Sequence, residues 1–222
     1  MFERESIRLR DILLARRDVS PLLNLGSADA RTREEIKPHI ERELFAPLRA
    51  AGIEIVHADL RPAPGVDVAG DIRDPEVQAR LGAGRFGCVL IANMLEHVRD
   101  RAMIAAICET LARPGGLILA TVPSSFPYHA DPLDTGYRPG PHALAAEFLG
   151  SEPLLTEEIE GDTYRAQLAA RGESVAGALL RTALAVLAFP FRPKTARARL
   201  SRWRWLDRPY RVAVALVRVR SS

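Results

Sequence analysis

One stretch of the chain, from Phe86 to Pro123, constrains the fold more than any other. It contains two short apolar runs, Cys88 to Ala92 and Leu117 to Val122, and each is typical of a buried strand. The residues between them have helical spacing, so the stretch predicts a β-α-β unit with parallel strands. Such sheets bind ligands beyond the carboxyl ends of their strands. We therefore expect chemistry near Asn93 and Glu96.

The length and composition predict one domain over residues 1–222. The chain has 222 residues and 47% apolar composition, enough for one substantial core. Residues 1–19 are predicted to hold an N-terminal helix. They are charged throughout and lack the apolar core of a secretory signal, which predicts a cytoplasmic protein. Cys88 and Cys108 each lie within a predicted element, and we expect both to be reduced core residues.

Charge is distributed unevenly along the chain. Residues 181–222 contain eleven Lys or Arg and one acid, a net +10, whereas residues 1–180 contain twenty bases and twenty-seven acids, a net −7. A basic block of this kind contacts phosphates, anionic lipid or nucleic acid, or remains solvated. The chain is only 6% aromatic, which leaves few platforms for base stacking. This composition argues against a nucleic-acid partner.

The first strand is predicted from Leu22 to Gly26. In a doubly wound sheet the turn after this strand is where a nucleotide-like ligand meets backbone amides, so the predicted cofactor loop is Gly26-Ser27-Ala28-Asp29. The dinucleotide pattern Gly-x-Gly-x-x-Gly does not occur there. This argues against NAD or FAD as the ligand.

Carboxylates follow the next two predicted strands. Asp59 comes directly after the strand Ile53 to Ala58, where a carboxylate can accept hydrogen bonds from both ribose hydroxyls. The alternative is a solvated turn aspartate. Asp71 comes at the end of a short edge strand predicted over residues 66–72. Asp74 precedes a proline and is predicted to cap a short helix, Pro75 to Leu81.

A helix is predicted between the first two strands. Its apolar face recurs every four residues, and Pro47 is expected to bend or end the helix. The face consists of Ile36, Ile40, Leu44 and Leu48.

The segment Pro123 to Pro141 is predicted to be a functional loop. It holds five prolines and an unusual density of aromatic and ionisable residues within nineteen positions. His129 is predicted as a general base, because the pKa of histidine lies near neutrality, and Asp131 or Asp134 would orient its ring. The alternative is that these side chains only satisfy backbone groups of a proline-rich turn.

A helical, basic insertion is predicted over residues 163–208. Its longest purely apolar run, Ala183 to Phe191, has nine residues, and a membrane span needs about twenty. We expect the insertion either to cap the substrate pocket or to contact an anionic membrane peripherally through residues 178–208, which add cations and two tryptophans. A final strand is predicted from Tyr210 to Val219.

The order of these motifs resembles the class I S-adenosylmethionine (SAM) dependent methyltransferases, in particular type 11-like members. The resemblance is carried by the strand ending near Asn93, by Leu95-Glu96-His97-Val98, and by Pro114-Gly115-Gly116 before the next strand. It implies an α/β fold: a doubly wound, Rossmann-like, mostly parallel sheet of about seven strands. The last strand of this family is antiparallel, and here the helical insertion precedes it.

The resemblance also implies roles for particular residues. SAM would be the cofactor, and the expected acceptor-facing residues are Tyr128, Asp134 and Arg138, beside His129 and Asp131 as catalytic residues. Asn24 stands where the family has an acid, and only one of the usual loop glycines is present. No metal is expected. The residues expected to bind the cofactor are Gly26, Ser27, Asp59, Asp71, Ile72 and Asn93.

The function implied is methyl transfer from SAM to an oxygen or nitrogen of a small molecule, a glycan or a lipid-linked sugar. The loop sequence YHADPLDTGYRP resembles methyltransferase-like proteins of bacterial glycan clusters. The alternative is a catalytically inactive, methyltransferase-like binding or scaffold protein. The missing loop glycines and Asn24 motivate that alternative.

Overall fold

The fold is built on one seven-stranded sheet. The computed structural model describes residues 1–128, 133–189, 191 and 193–221. The strands lie in the order β3-β2-β1-β4-β5-β7-β6. All neighbouring pairs are parallel except those of β7, which is antiparallel to both β5 and β6. The predicted α/β class and the antiparallel last strand are confirmed. The strands are β1 (Leu22–Leu25), β2 (Ile55–Asp59), β3 (Val68–Ala69), β4 (Phe86–Ala92), β5 (Ala112–Ser125), β6 (Ser151–Thr163) and β7 (Pro209–Val219).

Helices pack around this sheet and fill the connections. Wide π turns occupy Thr32–Ile36 and Glu41–Phe45, and tight 3-10 turns occupy Leu95–His97 and Trp203–Trp205. The α-helices are α1 (Glu3–Leu14), α2 (Ala46–Ala50), α3 (Pro75–Leu81), α4 (Arg101–Leu111), α5 (Pro141–Ala145), α6 (Tyr164–Ala170), α7 (Val175–Leu187) and α8 (Pro193–Arg202).

The central strands are buried on both faces, which explains their continuous apolar sequence. In β4, Val89 and Ile91 face one core cluster together with residues of α4, such as Ile104. Cys88 and Leu90 face the opposite cluster, which includes Leu9 of α1. Both cysteines are free and buried, and burial raises the pKa of each thiol to about 12. They are core residues, as predicted.

The helix predicted around Ile36 is wrong in two respects. Ile40, Leu44 and Leu48 are buried, but Ile36 is 61% exposed. The helical path is interrupted at Lys37 (φ −131°, ψ 63°), because the residue before a proline is disfavoured in the helical region. Pro47 does not end the helical path, which continues to Ala50. It lies in the first turn of α2, where its missing N–H is not needed.

Local signals located α3 well and β3 poorly. Asp74 accepts a hydrogen bond from the Glu76 amide at 2.9 Å and caps α3, as predicted. The edge strand expected over residues 66–72 has only two residues, Val68–Ala69. Asp67 keeps one backbone hydrogen bond to β2, from its amide to the His57 carbonyl oxygen at 2.8 Å, while the His57 amide donates to the Asp67 carboxylate at 2.7 Å. Among the described residues, no helix is long and apolar enough to cross a membrane.

Candidate functional site

The candidate site lies at the carboxyl edge of the sheet. Because β1, β2 and β4 are parallel, the residues that follow them meet at this edge: Gly26, Asp59 and Asn93. From β1 the chain adds β2 and then β3 on one side of β1, and it then returns to add β4 on the other side. That reversal is the position at which open α/β sheets form a ligand crevice.

The loop after β1 is bound closely to β2. The amides of Gly26 and Ser27 both donate to the carbonyl oxygen of Ala58, at 2.9 and 3.0 Å. The amide of Ala28 donates to Oδ2 of Asp59 at 2.8 Å. The Asp59 carboxylate is therefore placed against the predicted cofactor loop. Ala28 also holds the left-handed conformation (φ 53°) that a glycine would adopt more easily.

A buried arginine supports the same loop from its carbonyl side. Arg33 is 3% exposed and donates to the carbonyl oxygens of Ser27 and Ala28, at 3.1 and 2.6 Å. It also donates to the carbonyl oxygen of Gly65 at 2.7 Å. Burial lowers the pKa of Arg33. Sequence reasoning missed this residue, since an arginine among charged neighbours in a helical segment is typical of a surface position.

Asn24, which stands at the family's acidic position, has a partner in the core. Its Nδ2 atom lies 3.0 Å from Nδ1 of His57, its register neighbour on β2, and both residues are buried. Burial lowers the pKa of His57 to about 4. A neutral His57 accepts the amide hydrogen bond. Asparagine therefore suits a position beside an uncharged histidine.

The residues at this edge fit an adenosine-type ligand. Gly26 has φ 74°, and a Cβ atom there would lie 2.9 Å from Sδ of Met94, so glycine suits this position. Asp59 supplies a carboxylate of the kind that binds ribose hydroxyls.

The residues predicted to contact the adenine follow β3. Asp71 is paired with Arg73 at 2.5 Å, which lowers the pKa of the Asp71 carboxyl. Ile72 is buried in the core.

Asn93 is held by a residue far away in sequence. Its backbone is left-handed (φ 53°), and its Nδ2 atom donates to Oε1 of Glu5 at 2.7 Å. Thr121 of β5 donates to the same oxygen at 2.7 Å. Glu5 lies on α1 and is fully buried, so it joins α1 to the end of β4 and to β5. No sequence signal distinguished Glu5 from the other charged residues of that helix.

Glu96 presents the most unusual carboxyl group of the site. It is 1% exposed, and its Oε2 atom has no hydrogen-bond partner within the described part of the chain. Burial raises the pKa of Glu96 to about 7. A carboxyl that titrates near neutral pH can accept a proton from an acceptor nucleophile. The Leu-Glu-His-Val motif pointed to this residue, which was not among the predicted site residues.

The loop after β5 is tied to the turn that contains Glu96. The amide and hydroxyl of Thr135 donate to the Glu96 carbonyl oxygen at 3.0 and 2.8 Å. Asp134 and Arg138 form a two-point pair at 2.6 and 3.1 Å, with the Asp134 side chain fully buried. They bind each other and thereby shape the loop. Tyr128 is 43% exposed.

The two predicted catalytic residues, His129 and Asp131, lie outside the described residues. Their proposed role as base and orienting group remains a prediction.

The insertion is anchored at the same edge of the sheet. The Trp205 indole donates to Oγ of Ser125, the last residue of β5, at 2.9 Å. The Trp203 indole donates to Oγ1 of Thr182 at 3.1 Å. Phe126 packs against Tyr210, with ring centroids 4.8 Å apart. Both tryptophans are half-buried, and their indole N–H groups are hydrogen-bonded within the chain.

Comparisons with known proteins agree with this architecture. No family model matches the chain. A ubiquinone biosynthesis O-methyltransferase from Cereibacter sphaeroides is 32% identical over 97 residues, which cover 37% of this chain and 39% of that protein. The chain thus matches well under half the length of this curated relative.

Solved structures resemble the whole chain. A SAM-dependent methyltransferase from Archaeoglobus fulgidus has a TM-score of 0.54 and 16% identity, covering 97% of this chain and 94% of the other. A Burkholderia thailandensis 1,6-didemethyltoxoflavin-N1-methyltransferase, with S-adenosylhomocysteine bound, has a TM-score of 0.50 and 14% identity, covering 99% and 78%. The strand order, with its reversal at β1, and these likenesses together show that the chain has the fold of the class I SAM-dependent methyltransferases.

Proposed function

We propose that this chain transfers the methyl group of SAM to an oxygen or nitrogen of a small-molecule, glycan or lipid-linked sugar acceptor. The contact between Asp59 and Ala28 carries the proposal, because it sets a carboxylate beside the loop after β1 at the switch point of the sheet. SAM supplies an electrophilic methyl group on its sulfonium. The ubiquinone O-methyltransferase and the toxoflavin N-methyltransferase act on small molecules, which supports an acceptor of this class.

The proposed cofactor residues follow the carboxyl ends of four neighbouring strands, β3, β2, β1 and β4. Asp59 would accept from the ribose hydroxyls, while Asp71 and Ile72 would contact the adenine. The Gly26-Ser27 turn and Asn93 would hold the methionine part. Asp71 can leave its exposed pair with Arg73 at little cost, since surface ion pairs contribute under about 1 kcal/mol.

The proposed acceptor residues belong to the loop after β5. Tyr128 and the pair formed by Asp134 and Arg138 would shape the acceptor pocket. His129, oriented by Asp131, or Glu96 would take the proton that the nucleophile releases. Positioning of the nucleophile in line with the methyl group supplies most of the rate enhancement in a transfer of this kind. The two free, buried cysteines fit a reducing compartment, and we propose the bacterial cytoplasm as the place of action.

Titration calorimetry with SAM and S-adenosylhomocysteine tests the cofactor. We expect the wild-type chain to bind both, and Asp59→Asn to weaken binding by roughly tenfold or more, the usual effect of losing hydrogen bonds to a charged group. Asp74→Asn is the matched control, because asparagine also caps helices and α3 lies outside the proposed contacts. If folded protein binds neither ligand at millimolar concentration, the proposal is wrong.

A second measurement tests the transfer itself. Release of S-adenosylhomocysteine should occur with at least one member of a panel of phenols, amines, sugars and lipid-linked sugars. With that acceptor, Glu96→Gln should lower kcat by about a hundredfold if Glu96 is the base, and His129→Gln should do so if His129 is. An unchanged kcat in both variants would exclude both residues as the base.

A further inference from the structure

The helix α7 packs with its small residues inward and its large ones outward. Ala178 and Thr182, one turn apart, are its buried residues. Leu180 and Leu187 are 63% and 79% exposed, and Phe191 just beyond the helix is 88% exposed. Further exposed apolar side chains of this face are Leu179, Leu184, Val186 and Phe189. A surface helix normally buries its large apolar side chains, and an exposed apolar surface of this kind is typical of an interaction site.

A basic cavity lies beside this apolar face. It has a volume of about 530 Å³ and is lined by residues of α6, α7 and α8 and of the turn between α6 and α7, including Arg171, Arg181, Arg199 and Arg202. Arg181 is paired with Glu173. The other three guanidinium groups form no ion pair within the described part of the chain. Three uncompensated guanidinium groups around one cavity suit a phosphate group, which arginine binds through paired N–H donors.

We propose that the surface formed by α7 and this cavity binds the headgroup layer of an anionic phospholipid membrane. The leucines of α7 would enter the acyl region, and a headgroup phosphate would occupy the arginine cavity. Apolar side chains next to cations match the layering of such a membrane, where phosphates lie directly above acyl chains. Residues 181–222 carry a net charge of +10, which adds long-range attraction to anionic lipid. α7 has 13 residues, so it would lie on the membrane and not cross it.

This inference does not depend on methyl transfer, because the surface is separate from Asp59 and the Gly26 loop. Its failure would leave the proposed activity untouched. A membrane-bound position would nevertheless suit an acceptor carried by lipid, since the insertion is anchored to Ser125 at the edge of the candidate site.

Co-sedimentation of the full chain with vesicles tests the proposal. We expect binding to vesicles of phosphatidylcholine with 30% phosphatidylglycerol, and at least tenfold weaker binding to phosphatidylcholine alone. The double variant Leu180→Gln/Leu187→Gln should weaken binding by at least tenfold, because each leucine loses its transfer into the acyl layer. The matched control is Leu60→Gln/Leu149→Gln, which changes two leucines that are 62% and 80% exposed elsewhere. It should bind as the wild type does.

The cavity is tested separately from general charge. Arg199→Gln/Arg202→Gln should weaken binding by about tenfold or more, and Arg31→Gln/Arg73→Gln, which removes the same charge elsewhere, should weaken it far less. Calorimetry with inorganic phosphate alone distinguishes a free anion from a headgroup: we expect no saturable binding below about 10 mM. Equal binding to both vesicle types, or unchanged binding of both test variants, would overturn the proposal. So would a dimer in lipid-free sedimentation that Leu180→Gln/Leu187→Gln dissociates, since the face would then belong to a second copy of the chain.

Discussion

Nδ2 of Asn93 lies 2.7 Å from Oε1 of Glu5, across 88 residues of sequence. This hydrogen bond joins α1 to the end of β4, and Thr121 joins the same carboxylate to β5. A single buried glutamate thereby connects the first helix with two strands at the candidate site.

Replacing Glu5 should therefore destabilise the protein. Glu5→Ala removes the acceptor of two buried donors, and we expect the free energy of unfolding to fall by about 3 kcal/mol. Glu5→Gln keeps one oxygen acceptor and should lower it less. Urea denaturation measures both, with Glu3→Ala as the control on the exposed side of α1. A value for Glu5→Ala within 0.5 kcal/mol of the control would show that the contact contributes nothing, since ~0.5 kcal/mol is the usual size of a surface effect.

The Glu96 carboxyl should make stability depend on pH. Its pKa is about 7 in the folded chain against 4.5 for an ordinary glutamate, because burial disfavours the charged form. Between these values the folded state keeps the proton that the unfolded state releases, so stability is lost as pH rises through 7. Because glutamine does not titrate, Glu96→Gln removes this pH-dependent loss of stability. Relative to wild type, the variant should gain on the order of 3 kcal/mol between pH 4.5 and 8.

Denaturant titrations at several pH values measure this difference. Glu54→Gln, which removes an exposed carboxylate, controls for the general effect of charge. If the free energy of unfolding changes with pH in the same way for Glu96→Gln and wild type, the raised pKa of Glu96 is wrong.

The pair of Asn24 and His57 should respond to an added charge. The pKa of His57 is lowered to about 4 from 6.5, chiefly by burial, so its contribution to stability is present above pH 6.5 and is lost as pH falls through 4. Asn24→Asp puts a carboxylate beside Nδ1 and should raise the pKa of His57 by about 1 to 3 units. NMR titration of the His57 ring measures the shift. Gln167→Glu adds the same charge on α6 and should leave the ring unchanged.

A side chain at Gly26 should destabilise the protein. Gly26→Ala forces an L-residue into φ 74° and brings Cβ to 2.9 Å from Sδ of Met94, so we expect a loss of about 2 kcal/mol or more. Gly52→Ala has a similar backbone (φ 81°) with no atom within 4 Å, and it should lose about 1 kcal/mol. The difference between the two isolates the contact with Met94. Adding Met94→Ala to Gly26→Ala should restore part of that difference. If Gly26→Ala and Gly52→Ala lose the same free energy of unfolding, the contact with Met94 contributes nothing.

The sequence predicted those parts of the fold that local patterns determine. Continuous apolar runs located β4 and β5, and Asp74 with Pro75 located the start of α3, because burial on both faces and helix capping leave direct marks on neighbouring residues. Asp59 was expected at the end of a strand and lies there.

Long-range contacts determine the parts that could not be predicted. Glu5 and Arg33 resemble surface residues in sequence, and only the folded chain brings them to Asn93 and to the Gly26 loop. The outward leucines of α7 escaped prediction for a related reason. A helix that is apolar all round does not reveal which face is packed.

The position of β7 between β5 and β6 determines when the sheet can be completed. β6 and the helices after it are synthesised before residues 209–219, yet β6 joins the sheet by pairing with β7. On the ribosome, β1 to β5 can assemble first, whereas β6 cannot pair until β7 has been synthesised. Contacts so distant in sequence, such as Leu117 with Arg218, slow folding. The exposed apolar helix α7 is made during that interval, before β7 fixes β6 in the sheet, which makes this stage the one most open to aggregation.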